Sequence, residues 1–121
     1  MQPRRLAAIM FTDIVGYSAL TQRDEALAME LLDLHREMLR PVFIRFEGRE
    51  IKTIGDAFLI EFPSDLQAVK CGIAMQQCLR DYNDDADPGH HVNIRLGIHV
   101  GDVIVRDGDC LLYTSPSPRD A

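Results

Sequence analysis

Apolar and polar residues follow one another along the chain in two patterns: short continuous apolar runs, and apolar residues at helical spacing. The first continuous run covers residues 6–11 and ends in Thr12 and Asp13. A run of this length with polar residues at its end is typical of a buried strand that leads into a polar site. A loop is predicted to follow, made of Val15, Gly16, Tyr17 and Ser18.

The next segment has helical spacing. Thr21, with Asp24 three residues later, resembles a capping box and predicts the start of a helix. Its apolar stripe consists of Leu27, Leu31, Leu32, Leu34, Met38 and Leu39. Pro41 predicts a kink in this helix, and Gly48 predicts its C-terminal cap.

Two strand-like runs come next, residues 50–54 and residues 57–62, and the pair Gly55 and Asp56 separates them. A Gly-Asp pair between two such runs predicts a two-residue hairpin. The two strands of this hairpin are therefore expected to lie side by side in one sheet.

The last predicted elements are a second helix and two more strands. Ser64 predicts the N-cap of a helix that runs to about residue 81. Its expected inward-facing residues are Leu66, Val69, Ile73 and either Met75 or Leu79. After a polar loop, residues 92–99 and 103–106 are predicted strands joined by a hairpin at Gly101 and Asp102.

The predicted order is strand, helix, strand, strand, helix, strand, strand. This is the split βαβ order of ferredoxin-like folds, in which helices cover one face of an antiparallel sheet, so the sequence predicts the α+β class. In this topology the first strand and the hairpin are neighbours. We therefore expect Asp13 and Asp56 to converge at one end of the sheet.

Two carboxylates at one end of a sheet suit a hard cation. Mg²⁺ prefers few carboxylates together with water and substrate phosphates, and two such ions can stabilise both oxygens of a phosphoryl displacement. Taken singly, Asp56 is equally a turn former and Asp13 equally a solvated strand end. The backbone N–H groups of residues 15–18 would face a triphosphate at the start of the helix.

Lys52 lies four residues before Asp56, roughly 13 Å away along an extended strand, so the two are not expected to share one reacting centre. One interpretation of Lys52 is an exposed strand lysine. The other is that it serves a second site, which belongs to a partner subunit.

Composition narrows the classes of partner. The 121 residues include 13 basic and 19 acidic side chains, which gives a net charge of −6, and 46% are hydrophobic, as expected for one globular domain. The acidic balance and the lack of a basic cluster argue against nucleic acid as a partner. Residues 6–11 fall short of the roughly 18 apolar residues of a membrane span, so we expect a cytoplasmic chain, or the cytoplasmic piece of a longer one.

Residues 110–121 differ from the charged, strand-like sequence before them. They resemble the in-frame translation of the transposase adapter used in sequencing libraries, so we interpret them as a non-native tail. The alternative is a natural Ser/Pro-rich tail. The third base of the codon for Asp109 can also belong to the adapter, which leaves Asp or Glu as the original residue.

Three segments carry a family resemblance. Residues 11–18 read Phe-Thr-Asp-Ile-Val-Gly-Tyr-Ser, residues 52–58 read Lys-Thr-Ile-Gly-Asp-Ala-Phe, and residues 95–102 read Arg-Leu-Gly-Ile-His-Val-Gly-Asp. In this order and spacing they resemble the signature blocks of class III nucleotidyl cyclases. The resemblance implies a partial cyclase catalytic domain over residues 1–109, with the ferredoxin-like fold of that family truncated at its C-terminus.

The resemblance also implies an activity and a site. Enzymes of this family convert a nucleoside triphosphate into its 3′,5′-cyclic monophosphate and pyrophosphate, and work as dimers with active sites at the subunit interface. By the resemblance, Asp13 and Asp56 bind two Mg²⁺ or Mn²⁺ ions, and the carbonyl of Ile14 adds a ligand to one of them. A homodimer is therefore the expected assembly.

Base selection follows from the same resemblance. Lys52 is a donor that suits adenine N1, and Asp109 falls where the second selector would accept from the 6-amino group, so ATP is the expected substrate. The alternatives are a guanylate cyclase and a catalytically inactive homologue that serves as a dimerisation or regulatory module. The segment that should carry the transition-state Asn and Arg is missing after residue 109, so this chain alone is expected to be nearly inactive and its intact parent active.

Overall fold

The computed structural model describes the backbone of residues 4–106 and 109–113 and the side chains of residues 6–102. The elements are β1 (Arg4–Ile14), α1 (Tyr17–Arg23), α2 (Glu25–Arg45), β2 (Arg49–Ile54), β3 (Ala57–Phe62), α3 (Asp65–Asp85), a 3-10 turn (Pro88–His90), β4 (Ile94–Arg106) and β5 (Asp109–Tyr113). The strands form one antiparallel sheet in the order β2-β3-β1-β4-β5. The predicted α+β, ferredoxin-like architecture is confirmed.

The middle of the central strand β1, residues 7–10, is buried on both sides, which explains the continuous apolar sequence there. Ala8 and Met10 pack into the main core together with residues of α2 and α3, on what we call the helix face of the sheet. Ala7 and Ile9 pack on the opposite side, which we call the open face, against residues of the β2–β3 hairpin. Because β1 lies between β3 and β4, its C-terminal end is held from both sides.

Helix boundaries near the first loop differ from the prediction. Gly16 adopts a left-handed conformation with φ 75°, and α1 begins directly after it at Tyr17. Thr21 lies inside α1, where its hydroxyl donates to the carbonyl of Tyr17. Asp24 is the N-cap of α2, since its carboxylate accepts the N–H of Leu27. The capping box predicted at Thr21 is therefore wrong, because the capping residue is Asp24 itself.

The C-terminal end of α2 is close to its predicted place, but a different residue makes the turn. The helix continues through Pro41 to Arg45. Glu47, with φ 65°, is the residue in the left-handed conformation, and the N–H of Gly48 donates to the carbonyl of Phe43 at 2.7 Å. Together with the bond from the N–H of Glu47 to the carbonyl of Ile44, this is a Schellman motif.

Helix α3 starts as predicted, with the hydroxyl of Ser64 accepting the N–H of Gln67. Its predicted inner face is correct at Met75 and Leu79 and wrong at the other three positions. The large apolar residues Leu66, Val69 and Ile73 are exposed. The buried face consists of Ala68, Cys71, Gly72, Met75 and Leu79. Small residues bring the helix backbone close to the sheet: a Cβ at Gly72 would lie 3.4 Å from the side chain of Leu96.

The predicted hairpin at Gly101 and Asp102 is also wrong. Strand β4 runs without interruption through both residues and pairs with the whole of β1, with Gly101 opposite Ala7 and Asp102 opposite Leu6. The final strand, β5, covers residues 109–113 and pairs with the far end of β4. Most of β5 thus belongs to the segment interpreted as a non-native tail.

No helix in the described part of the chain is long and apolar enough to cross a membrane.

Candidate active site

Asp13 and Asp56 lie next to each other at one end of the sheet, as the topology predicted. Asp13 is the second-last residue of β1, and Asp56 lies in the turn between β2 and β3. The N–H of Ile14 donates to Oδ2 of Asp56 at 2.7 Å. Since Ile14 directly follows Asp13, this bond holds the hairpin carboxylate against the strand that carries the other one.

Arg95 completes the cluster, and it did not enter the sequence prediction as a site residue. It lies opposite Asp13 in the β1–β4 ladder and binds the carboxylate through two bonds, Nε to Oδ1 at 3.0 Å and Nη2 to Oδ2 at 3.2 Å. The hydrogen bond with Asp13 raises the pKa of Arg95. Arg95 stands at the start of the third signature segment, but only the strand register identifies its partner.

The donor set suits a hard cation with few protein ligands. Among the described residues no group of three or more His, Cys, Asp or Glu side chains could hold a metal ion. A pair of aspartates fits Mg²⁺ or Mn²⁺ better than zinc, because those ions accept water and phosphate oxygens for their remaining positions. A cation bound at Asp13 would compete with the Arg95 guanidinium, which already donates to both carboxylate oxygens.

The loop after β1 offers fewer phosphate donors than predicted. The N–H of Val15 donates to the carbonyl of Asn93 at 2.8 Å, so it is already used. Tyr17 packs against the main core, whereas Gly16 and Ser18 are exposed. The predicted set of loop donors is therefore reduced to the backbone of Gly16, Tyr17 and Ser18.

The two predicted base-reading residues are not part of the aspartate cluster. Lys52 is exposed and lies opposite Leu59, a residue of the open face. Asp109 is the first residue of β5 and pairs with Arg106, but its side chain lies outside the described residues. Lys52 and Asp56 thus belong to the same hairpin, but Lys52 lies within strand β2 whereas Asp56 lies in the turn.

Helix α2 supports the hairpin from the helix face. Arg36 donates through Nη2 to the carbonyl of Gly55 at 2.8 Å, directly beside Asp56. The residue before Arg36 is His35, whose fully buried ring lies 5.0 Å from the ring of Phe58, measured between centroids. These contacts fix the turn that carries Asp56 between α2 on one side and β1 on the other.

Comparison with known proteins shows similarity to cyclase catalytic domains. The family model for the adenylate and guanylate cyclase catalytic domain matches residues 1–108. A putative adenylate cyclase 3 of Rhizobium meliloti is 41% identical over 107 residues, which cover 88% of this chain and 18% of that protein. The serine/threonine-protein kinase pkn2 of Myxococcus xanthus is 32% identical over 105 residues, covering 86% of this chain and 12% of the kinase.

Solved structures agree with these sequence matches. An adenylate/guanylate cyclase/hydrolase from Silicibacter pomeroyi superimposes with a TM-score of 0.81 at 32% identity, covering 92% of this chain and 65% of that one. A bacterial light-regulated adenylyl cyclase, at 19% identity and a TM-score of 0.82, shows the same fold over 93% of this chain and 65% of its own. The chain therefore spans about two thirds of these structures and less than a fifth of the two sequence relatives.

Proposed function

Because the chain belongs to the adenylate and guanylate cyclase catalytic domain family, we propose that it is part of an adenylate cyclase that converts ATP to 3′,5′-cyclic AMP and pyrophosphate. The observation that carries this proposal is the bond from the N–H of Ile14 to Asp56, which brings the two aspartates to one end of the sheet. That arrangement suits the metal-assisted attack of a hydroxyl on a phosphorus atom.

In the proposed reaction the ribose 3′-oxygen forms a bond to the α-phosphorus and the bond to the β-phosphate oxygen breaks. The hydroxyl proton leaves to solvent and pyrophosphate departs. Two bound Mg²⁺ or Mn²⁺ ions would lower the pKa of the 3′-hydroxyl and neutralise charge on the β- and γ-phosphates. Asp13 and Asp56 would hold these ions, with the carbonyl of Ile14 as a further ligand to one of them.

Arg95 has two partners in this proposal. In the structure it pairs with Asp13. When a cation takes the Asp13 oxygens, the guanidinium is released at the edge of the site, where planar donors suit phosphate oxygens. Gly16, Tyr17 and Ser18 would offer backbone N–H groups to the same phosphates.

ATP is the proposed substrate because of Lys52 and Asp109. Lys52 has an ammonium donor and Asp109 is, by residue type, an acceptor, a pair that would match N1 and the 6-amino group of adenine. The relative with 41% identity is named as an adenylate cyclase, which supports the same choice.

A homodimer with shared sites is part of the proposal. Lys52 lies on the open face, where Phe11 is 54% exposed and Ile54 is 64% exposed. Exposed apolar side chains beside a candidate substrate residue favour coverage by a second subunit. We also retain the interpretation of residues 110–121 as non-native, which is supported by the end of the family match at residue 108.

The test is a cyclase assay on the full-length protein with ATP or GTP and with Mg²⁺ or Mn²⁺. Cyclic AMP should form from ATP, and Asp56→Asn should lower turnover at least about 100-fold because it removes a charged ligand from the reacting centre. Asp33→Asn, an exposed position on α2, is the matched control and should leave turnover unchanged. If the folded protein forms no cyclic nucleotide, the result would indicate a regulatory module. If it forms cyclic GMP only, the result would indicate a guanylate cyclase.

A further inference from the structure

Strand β2 contains an irregularity beside Lys52. Glu50 pairs with Ile60 and Lys52 pairs with Leu59, which leaves Ile51 as an extra residue between them. Such an arrangement, in which two residues of one strand lie opposite one residue of the other, is a β-bulge. Bulges redirect the side chains that follow them, because the alternation between sheet faces is shifted by one.

The burial of the neighbours shows how the bulge redirects β2. Residues directly opposite each other in an antiparallel ladder point to the same face. Ile60, opposite Glu50, belongs to the core of the helix face, whereas Leu59, opposite Lys52, packs on the open face. Ile51 packs on the open face as well.

A regular strand, without the bulge, would point the side chain of Lys52 to the other face of the sheet. Without the bulge, Lys52 would share a face with Glu50, which is two residues earlier, and would point towards α2. With the bulge, Ile51 and Lys52 both point to the open face, and Thr53, opposite Phe58 of the main core, returns to the helix face.

A polar network joins the residues on either side of the bulge. The hydroxyl of Thr53 donates to Oε2 of Glu50 at 2.6 Å. Arg40, a residue of α2, donates to the carboxylate of Glu50 through Nε to Oε1 at 3.0 Å and through Nη2 to Oε2 at 3.3 Å. The Arg40 guanidinium also lies 5.7 Å from the centre of the Phe58 ring. The Arg40 hydrogen bond lowers the pKa of Glu50, which favours the charged acceptor that both donors need.

We infer that Arg40, Glu50 and Thr53 are positioning residues that hold the bulge and so keep Lys52 on the open face, where it distinguishes ATP from GTP. This role rests on the proposed function of Lys52 as a base-reading residue. The hydrogen bond between Thr53 and Glu50 joins the residues on either side of the bulge, and the bonds from Arg40 connect Glu50 to α2. None of the three residues needs to touch the nucleotide.

The experiment combines nucleotide selectivity with a structural measurement on the full-length protein. Thr53→Val keeps the β-branched shape and removes only the hydroxyl, and Thr53→Ser restores it. Thr53→Val should lower the ratio of kcat/KM for ATP to that for GTP about tenfold, the effect of losing one hydrogen bond. It should also speed amide hydrogen exchange at residues 51–53, and Thr53→Ser should restore both values.

Two controls separate the possible failures. Ser64→Ala removes a different hydroxyl hydrogen bond, at the start of α3, and should change neither measurement. If Thr53→Val leaves both the selectivity ratio and the exchange rates unchanged, the inference is overturned. It is also overturned if Thr53→Val speeds amide exchange but leaves the ATP-to-GTP ratio unchanged, while Lys52→Gln lowers that ratio. If Lys52→Gln itself leaves the ratio unchanged, the base-reading role in the proposed function fails, and faster exchange in Thr53→Val would then support only the structural half of the inference.

Discussion

At the scale of single residues, His35 is a titratable group that is fully buried in the core. Its Nδ1 lies 3.2 Å from the carbonyl of Leu32 and is assigned as the donor, and its Nε2 has no hydrogen-bond partner among the described residues. Burial lowers the pKa of His35, and the charges around it oppose one another: Arg36 and Arg40 lower the pKa while Asp56 raises it. Protonation would therefore place an unsatisfied charged donor beneath the candidate site.

The pH dependence of stability follows from that shift. Because the pKa of His35 is lower in the folded state than in the unfolded chain, unfolding takes up a proton between about pH 6.5 and the lower pKa of the folded state. The contribution of neutral His35 is thus fully present above about pH 6.5 and is lost as the pH falls through the folded-state pKa. The free energy of unfolding, measured with urea at about pH 7.5 and about pH 5.5, should fall more for the wild type than for His35→Gln. Equal losses in the two proteins would contradict this assignment.

At the scale of elements, the turn from α2 into β2 decides how the hairpin meets the helix. Glu47 takes the left-handed conformation, while Gly48 is required for space rather than for its φ angle. A Cβ at Gly48 would lie 2.7 Å from a ring carbon of Phe62 and 2.8 Å from the carbonyl oxygen of Phe43. Both neighbours are buried, so neither can easily move away.

Gly48→Ala should therefore lower the free energy of unfolding by roughly 1–3 kcal/mol, the usual cost of overpacking a core. Gly89→Ala is the matched control, since a Cβ there meets no atom within 4 Å among the described residues. Urea denaturation of both variants tests the difference. A Gly48→Ala protein as stable as Gly89→Ala would show that the helix end shifts at little cost.

At the scale of the whole molecule, the candidate residues lie at separate places on one sheet. The aspartates are at the end of β1 and in the hairpin turn, while Lys52 and exposed apolar side chains lie on the open face. A closed two-fold dimer uses the same surface on both subunits, so each site would take residues from both. The proposed homodimer predicts a specific behaviour of mixed variants.

Asp56→Asn and Lys52→Glu, each weakly active with ATP in full-length protein, should recover about a quarter of the wild-type rate when mixed and allowed to exchange subunits. Random mixing makes half of the dimers mixed, and each mixed dimer has one intact site of two. A mixture of Asp13→Asn with Asp56→Asn should recover nothing, because both changes affect the same half of the site. Absence of recovery in the first mixture would indicate that each subunit holds its whole site.

Several features were predictable from local patterns. The Gly55 and Asp56 turn and the Ser64 cap depend on residues close in sequence, and the structure has both. The predicted order is correct for β1 and from α2 to α3, whereas α1 was not predicted and the last two predicted strands are the single strand β4. The convergence of Asp13 and Asp56 followed from topology, which the order of elements already restricted. Part of the inner face of α3 was mispredicted because hydrophobicity alone does not reveal that Ala68, Cys71 and Gly72 give a closer approach to the sheet than larger residues.

The sequence by itself determined the α+β class, the family and the identity of the paired aspartates, because each depends on residue type and spacing along the chain. Only the tertiary structure decided that Arg95 binds Asp13, that β4 continues through Gly101, and that Ile51 is an extra residue which directs Lys52 to the open face. These features depend on strand register, and register is set by contacts between residues far apart in sequence.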